Sequence, residues 1–264
     1  MKNSNNWWRP NHFFNKVYLL GDNSVEGYDT DNKSLYERTQ NEVNGIIQLT
    51  GISKTDKILD APCGYGRHSI ELAKRGFETW GVDVNPQFII NAQEQAIRDK
   101  LINVNFICSN INFLNLEIKF DIALNLFFSI GFYRTEERNL LFLKAITDHI
   151  KNNGLLLLHT HIFKERFLYD NIILNETRNL KNNKKLVINK EIKDDREEGY
   201  WSIVSNNRVI KNSFYSMRVY SLDELIEMLS KLGMEVINVF GDWSGNMFIK
   251  EKSHHLIIIC RKHV

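Results

Sequence analysis

Long hydrophobic runs and end blocks of like charge are both missing from this sequence of 264 residues. The longest apolar runs, residues 155–158 and 256–260, are far too short to cross a membrane, and the first ten residues contain no apolar signal region. With 34 basic and 32 acidic side chains the net charge is +2, so no positive surface for nucleic acid stands out. We therefore expect a cytoplasmic protein whose partner is a small molecule rather than nucleic acid or a membrane.

Cysteine is scarce as well. The three cysteines, Cys63, Cys108 and Cys260, lie far apart, and no two of them form a C-x-x-C pair. An odd number of separated cysteines in a chain without a signal region argues against a disulfide framework and against a zinc site. We predict that no metal is bound and that Cys108 and Cys260 are buried strand residues.

The apolar residues that are present, 43% of the chain, suffice for a sizeable core. Short apolar runs alternate with amphipathic segments of helix length, which is typical of a parallel sheet covered by helices. The predicted strands of this sheet are residues 57–61, 77–82, 104–108, 120–126 and 154–160.

Capping residues mark the predicted helix starts. Ser34 and Ser221 each precede a glutamate by three positions, as in a capping box, and Asn85 is followed by a proline at the first helical position. Thr135 is the predicted cap of a further helix that reaches about Lys151.

The pattern changes beyond residue 170. Apolar and charged side chains alternate over residues 184–220, which predicts an antiparallel meander within an insertion at residues 172–220. Residues 234–240 and 255–261 are two last strands, joined by a loop too short for a crossover helix, so they should pair antiparallel. The predicted fold is α/β and Rossmann-like over residues 33–264. It has a seven-stranded, mostly parallel sheet with an antiparallel last strand, and the small antiparallel β insertion follows the fifth strand.

Residues 60–83 contain the side chains that predict which ligand is bound. The first strand ends at Asp60, a Gly-x-Gly turn follows at Gly64 and Gly66, and Asp83 ends the next strand, an arrangement that holds a nucleoside in an open sheet. The glycines permit positive φ and close approach of a ligand, and Asp83 is placed to accept hydrogen bonds from a ribose. A carboxylate at Asp60 beside a pyrophosphate would cost about 1 to 4 kcal/mol at about 4 Å. The turn therefore favours a cationic adenosine ligand, and S-adenosylmethionine has that chemistry.

The stretch LDAPCGYGRHSIELAKRGFETWGVDVN resembles the first two motifs of class I S-adenosylmethionine-dependent methyltransferases of the small-molecule kind. The chain departs from that pattern at Pro62, where the family most often has glycine, and at Asn110, where it often has an aspartate that reads the adenine amino group. An asparagine carbonyl can accept the same hydrogen bond. The signature of enzymes that methylate adenine, a polar residue before two prolines and an aromatic, is absent, which weighs against nucleobase amino groups as acceptors.

The resemblance implies a set of cofactor contacts. They are Tyr28, Arg38, Asp60, Ala61, Pro62, Gly64, Gly66, Asp83, Val84, Asn110, Ile111, Asn125, Leu126 and Phe127. Arg38, on the helix before the first strand, is expected to hold the methionine carboxylate, a surface charge being the alternative interpretation. Tyr28 is expected to close over the methionine end.

Catalysis of methyl transfer needs alignment and exclusion of water more than it needs a base. If a base is used, the candidates are His159 and His161, at the carboxyl end of the fifth strand, and Tyr133. The alternative for the histidines is that they cap the strand or bond to the backbone. His254-His255 precedes the last strand, but adjacent strand residues point to opposite faces, so no metal site is expected there. Trp243 is either a wall of the substrate site or a packed surface aromatic.

These observations predict an enzyme that transfers the methyl group of S-adenosylmethionine to an oxygen, nitrogen or carbon atom of a small metabolite and releases S-adenosylhomocysteine. A peptide or protein terminus is the alternative acceptor. Two less favoured functions are a non-catalytic cofactor-binding subunit and an NAD-dependent dehydrogenase, against which Asp60 and the presence of Ser69 in place of a third glycine both weigh. Residues 1–32, which contain Trp7, Trp8 and two phenylalanines, form with the β insertion either a lid or a homodimer contact.

Overall fold

The structure is a computed structural model and describes residues 8–9, 12–23, 33–127, 129–169 and 175–263. The helices in these ranges are α1 (Lys16–Asp22), α2 (Leu35–Thr50), α3 (Arg67–Lys74), α4 (Pro86–Arg98), α5 (Glu136–Thr147), α6 (Lys164–Tyr169) and α7 (Leu222–Ser230). The strands are β1 (Lys57–Asp60), β2 (Glu78–Asp83), β3 (Val104–Cys108), β4 (Phe120–Asn125), β5 (Ile150–Thr160), β6 (Asn175–Leu180), β7 (Lys184–Lys193), β8 (Arg196–Ser205), β9 (Arg208–Arg218), β10 (Met234–Phe240) and β11 (Leu256–Lys262). Within these ranges, none of the helices has both the length and the hydrophobicity that a bilayer-spanning segment needs.

A seven-stranded sheet in this part of the chain has the order β10-β11-β5-β4-β1-β2-β3. Strands β1 to β5 pair in parallel, whereas β11 lies antiparallel to both β5 and β10. The predicted fold and the antiparallel pairing of the last strands are therefore confirmed. The chain proceeds from β1 outward to β2 and β3 and then returns to β4 on the other side, so the carboxyl ends of β1 and β4 form the switch point where open sheets bind ligands.

Helices cover both faces of this sheet, which explains the near-continuous apolar strands. One face packs against α2 and α3 through Val43, Ile46 and Leu72, and the other packs against α5 and α7. Cys260 is buried in β11, as predicted. Cys108 is exposed, and that prediction was wrong because β3 is an edge strand of the sheet and Cys108 is its last residue.

The helix starts follow the predicted caps. Ser34 and Ser221 open capping boxes with both reciprocal hydrogen bonds, and the side chains of Asn85 and Thr135 accept from backbone amides of the first turn. The helix capped by Thr135 ends at Thr147 and not near residue 151. The prediction was wrong there because Ile150 already pairs with β4 and draws the following residues into β5.

The insertion forms a second, antiparallel sheet with the order β6-β7-β8-β9. Its inner face packs against α1 through a small cluster of Val17, Leu186, Ile188 and Ile203. The buried guanidinium of Arg196 donates to the carbonyl oxygens of residues 131 and 133 and so joins β8 to the segment that follows β4. This second sheet therefore lies beside the carboxyl ends of the central strands.

A glycine in α2 permits close packing against the loop between β10 and β11. A Cβ at the buried Gly45 would lie 2.7 Å from the carbonyl oxygen of Trp243 and 2.9 Å from its Cβ. Backbone atoms cannot move aside as the end of a long side chain can, so this contact requires glycine.

We expect Gly45→Ala to lower the free energy of unfolding by about 1–3 kcal/mol, because overpacking outweighs the gain in helix propensity of about 1 kcal/mol. Denaturant unfolding followed by circular dichroism measures the change. Asn41→Ala, at an exposed position of the same helix, is the matched control and should change stability by less than about 0.5 kcal/mol. An unchanged or increased stability of Gly45→Ala would contradict the packing described here.

Candidate functional site

The turn between β1 and α3 has the backbone conformation that its glycines predict. Gly64 has φ +56 and Gly66 has φ +79, both in the left-handed region that glycine tolerates best. A Cβ at Gly66 would lie 2.7 Å from the ring of Phe106, so this glycine serves packing. A Cβ at Gly64 would meet nothing within 4 Å, and Gly64 lines a cavity at the switch point. The open side of Gly64 is where a ligand can approach the backbone.

Asp83 ties this turn to the end of β2. Its two carboxylate oxygens accept hydrogen bonds from the amides of Gly64, at 2.9 Å, and Asn85, at 2.8 Å. Asp83 is 8% exposed and lines the cavity, and burial raises the pKa of its carboxyl group to about 6. The amide of Gly66 donates to the carbonyl oxygen of Cys63. The amides of both glycines are thus used within the protein, which leaves them unable to form a phosphate-binding nest.

Asp60 lies behind the turn and not on the cavity wall. It is 1% exposed, and its carboxylate accepts a 2.6 Å hydrogen bond from the Ser69 hydroxyl in α3. Burial raises the pKa of Asp60 to about 7, although the hydrogen bond from Ser69 and the charge of Arg67 oppose the rise. Asp60 can therefore act on a ligand in the cavity only through its charge. The carboxylates that line the cavity are those of Asp22, Glu42, Asp83 and Glu176.

The structure brings most of the sequence-predicted residues to one cavity. Its walls include Arg38, Pro62, Gly64, Asp83, Val84, Asn110, Ile111, Leu126, Phe127, Tyr133 and His161. Five others, Asp60, Ala61, Gly66, Asn125 and His159, support the wall from behind. Among these, Asn125 donates from its side-chain amide to the carbonyl oxygen of Ala61 and so joins the ends of β4 and β1. Tyr28 lies outside the described residues.

Arg38 reaches the cavity from α2. One terminal nitrogen donates to the carbonyl oxygen of Asp22, and the other lies 3.6 Å from the Asp22 carboxylate. Its Nε is buried and has no hydrogen-bond partner among the described residues. A guanidinium on the wall of a cavity suits a ligand carboxylate, because the two groups form strong charge-assisted hydrogen bonds.

A buried network beside the turn was missed by sequence reasoning. Glu42 of α2 accepts from the Arg67 guanidinium and lies 2.8 Å from Nε2 of His68, and all three side chains line the cavity. Burial alone would raise the pKa of Glu42, but Arg67 and His68 lower it to about 2. Burial and Arg67 lower the pKa of His68 to about 4. No local signal predicts this network, because Glu42 is far from its two partners in the sequence.

The cavity continues between the N-terminal segment, which is residues 8–9 and 12–23, and the second sheet. This half is lined mainly by aromatic and apolar side chains: Trp8, Phe13, Phe14, Tyr18, Phe132, Tyr133, Ile188, Trp201 and Tyr215. The side-chain amide of Asn85 donates to the carbonyl oxygen of Phe14 at 3.0 Å, and Tyr65 donates to the Asp22 carboxylate. These two hydrogen bonds join the N-terminal segment to the turn between β1 and α3 and to the residue that caps α4.

Of the predicted catalytic residues, Tyr133 and His161 line the cavity, whereas His159 has no exposed surface. The His159 ring packs edge-on against Phe127 with 4.8 Å between centroids, and the Trp243 ring lies 4.7 Å away. Within the described residues Trp243 does not line the cavity and packs against the cluster of Val43, Ile46 and Ile257. In the same ranges no three histidine, cysteine, aspartate or glutamate side chains are grouped as a metal ion would require.

Residues 58–154 match the model of a family described as a methyltransferase domain. Among curated proteins the chain is similar to one from Geobacillus sp. (strain WCH70) whose assignment as a methyltransferase is itself provisional. The two are 28% identical over 130 residues, which are 49% of this chain and 52% of the relative. The curated relatives are thus matched over about half of their length or less.

Solved structures share the fold over most of the chain. An S-adenosylmethionine-dependent methyltransferase from Clostridium acetobutylicum ATCC 824 gives a TM-score of 0.73 at 16% identity, over 86% of this chain and 92% of that one. The sugar N-methyltransferase KedS8 from Streptoalloteichus sp ATCC 53650 gives a TM-score of 0.67 at 16% identity, over 90% of this chain and 94% of that one. At such identities the likeness establishes the fold. Residues 58–154 therefore resemble a methyltransferase domain, and the chain has the fold of class I S-adenosylmethionine-dependent methyltransferases.

Proposed function

We propose that the protein transfers a methyl group from S-adenosylmethionine to an atom of a small metabolite. The observation that carries this proposal is the cavity that joins the Gly64 turn to an aromatic chamber beneath the N-terminal segment. The turn offers a place for an adenosine, and the amides of Gly64 and Gly66 are already bonded within the protein. Among proteins of similar fold, one is named a sugar N-methyltransferase and another a glycopeptide N-methyltransferase, which supports a small acceptor and leaves a peptide as the alternative.

The half of the cavity next to the Gly64 turn has chemically suitable neighbours for each end of the cofactor. We assign the ribose to the Asp83 carboxylate and the adenine to the space between Val84, Asn110 and Ile111, which all line the cavity. The methionine carboxylate is assigned to the guanidinium of Arg38, which lines the cavity. Pro62 and Leu126 border the same half, while Asp60, Ala61 and Asn125 hold its wall in place.

When bound, S-adenosylmethionine supplies a methyl group on a positively charged sulfur, which is a good leaving group for in-line displacement. The chain's own residues align the acceptor and exclude water from it. Trp8, Phe13 and Phe14 cover the chamber on one side and Trp201 and Tyr215 on another, so we propose that the N-terminal segment and the β insertion form a lid. His161 is the proposed proton acceptor where the reaction needs one. Burial raises the pKa of Tyr133, so Tyr133 is assigned a positioning role.

The first prediction concerns the proposed ribose contact. We expect Asp83→Ala to weaken binding of S-adenosylhomocysteine about 10- to 100-fold, because a charged hydrogen-bond acceptor contributes about 1.5–3 kcal/mol. Isothermal titration calorimetry measures the affinity, with Asp223→Asn on the exposed surface of α7 as the matched control. Absence of binding to the unaltered protein at millimolar ligand would refute the proposed function itself.

A second prediction separates the two ends of the cofactor. Arg38→Met should weaken S-adenosylhomocysteine about tenfold or more and leave 5′-methylthioadenosine, which has no carboxylate, within about twofold of its original affinity. Exposed Arg98→Met is the control for loss of a positive charge. If both ligands lose affinity equally, Arg38 acts through the shape of the site and not on the carboxylate.

A third prediction follows from the raised pKa of Asp60. In the free protein this carboxyl group holds a proton up to about pH 7. A cationic ligand favours the ionised form and lowers that pKa, so binding at pH 6.5 should release about half a proton or more. Calorimetry of S-adenosylmethionine in two buffers of different ionisation enthalpy measures the release, and Asp60→Asn should reduce it. Proton uptake on binding, or release unchanged in Asp60→Asn, would show that this charge does not respond to the ligand.

A further inference from the structure

The face of the second sheet that lines the cavity carries a lysine beside its aromatic side chains. Ile188 and Lys190 are two positions apart on β7, so they point to the same side, and both line the cavity. Lys190 lies opposite Gly199 of β8, and Gly199 lies opposite Tyr215 of β9, which also lines the cavity. These pairings place Lys190 at the aromatic chamber, in one row with Tyr215.

The glycine in the middle of this row leaves space for the Tyr215 ring. A Cβ at Gly199 would lie 2.1 Å from Cε1 of Tyr215 and 2.7 Å from its hydroxyl oxygen. The hydroxyl donates a hydrogen bond to the carboxylate of Glu197, which is 2% exposed. Burial and the charge of Glu197 raise the pKa of Tyr215, so the hydroxyl keeps its proton. One oxygen of Glu197 is therefore already in use as an acceptor.

The arginines on the cavity wall are each paired with a carboxylate of the same wall. Among the described residues these pairs are Arg38 with Asp22, Arg67 with Glu42, and Arg178 with Glu176. In the pair that lies on the second sheet, Arg178 binds the two oxygens of Glu176 at 2.7 and 3.1 Å. Its third nitrogen donates to the carbonyl oxygen of Gly21. The charge and the donors of Arg178 are thus used within the protein.

Lys190 differs from these arginines. The carboxylate within 4 Å of its Nζ is that of Glu197, at 3.8 Å, which is longer than a hydrogen bond, and the oxygen concerned is the one that accepts from Tyr215. Among the described residues this ion pair is the polar contact of the ammonium group, whose side chain is 16% exposed. A charge beside an apolar chamber is costly unless it is both paired and hydrogen-bonded. The three N–H donors of Lys190 therefore suit a ligand anion.

We propose that Lys190 is a specificity residue that binds a carboxylate of the methyl acceptor, so that the acceptor is an apolar or aromatic carboxylic acid. This inference rests on the proposed function. The aromatic walls pack against the apolar part of such an acceptor, and the ammonium group fixes its orientation. A single ammonium group matches the charge of a carboxylate. A phosphate, with about −1.5 to −2 charges at pH 7, would add unbalanced negative charge beside Glu176 and Glu197.

Small aromatic probes of different charge test this proposal on the full chain saturated with S-adenosylhomocysteine. The probes are benzoate, benzyl alcohol, benzylammonium and phenyl phosphate. Trp201 lines the chamber, so its indole N–H signal in nitrogen-15 NMR reports occupancy, and Trp201→Phe assigns that signal. Benzoate should bind at least about fivefold more tightly than each of the other probes. A smaller preference, tighter binding of another probe or no response to benzoate would overturn the proposal.

Substitutions at position 190 test whether this residue supplies the preference. Lys190→Met should weaken benzoate about tenfold or more and leave benzyl alcohol within about twofold, because the variant keeps an unbranched side chain and loses the charge. Lys190→Arg keeps a cation and should bind benzoate within about threefold of the unaltered protein. Lys185→Met is the matched control, since Lys185 is exposed on the other face of the same strand.

Equal losses of benzoate and benzyl alcohol in Lys190→Met would refute the proposal, because Lys190 would then act only through the shape of the chamber. If Lys190→Met does not fold, the ranking of the probes with the unaltered protein still decides the question. Calorimetry of S-adenosylhomocysteine on the same samples separates the two levels of the account. A protein that does not bind this cofactor product contradicts the proposed function, whereas one that binds it without preferring benzoate contradicts the role of Lys190 alone.

Discussion

Two buried carboxylates on either side of one turn are the constraint on which the site depends. Asp60 lies behind the turn, held by the Ser69 hydroxyl, and Asp83 lies in front of it, held by the amides of Gly64 and Asn85. Since the Gly64 amide is already bonded to a carboxylate, it is not available as a donor to a pyrophosphate. Together the carboxylates make this corner of the cavity attractive to a cation and keep the left-handed turn in place.

The remaining parts of the site extend from that corner. The Glu42–Arg67–His68 network fixes the start of α3 against α2, and Arg67 also lies over the Phe127 ring, 4.7 Å from its centre. Phe127 has φ +53, an unusual backbone conformation for a bulky residue, which is tolerated where surrounding packing imposes it. The start of α3 and the end of β5 thus both contact the one aromatic ring that follows β4, and this ring also lines the cavity.

Local signals in the sequence were enough to predict the fold and many of the residues that line the cavity. Strand periodicity, the capping boxes of Ser34 and Ser221 and the glycines of the turn act over a few residues, so they are readable without tertiary context. The direction of a side chain at the end of a strand depends on tertiary packing and cannot be predicted from local signals. Asp60 and His159 were for this reason expected at the cavity, whereas both lie behind its wall. Glu42 could not be found for a related reason, since its partners come from another helix and only packing brings them together.

The central claim is that this turn prefers a positively charged adenosine ligand to a phosphorylated one. The most direct measurement is isothermal titration calorimetry of the unaltered protein with S-adenosylmethionine and, separately, with ADP-ribose, in the same buffer at pH 7.5. The account predicts saturable binding of S-adenosylmethionine and an affinity for ADP-ribose that is at least about 100-fold weaker, equivalent to about 2.7 kcal/mol. Equal or tighter binding of ADP-ribose would contradict it.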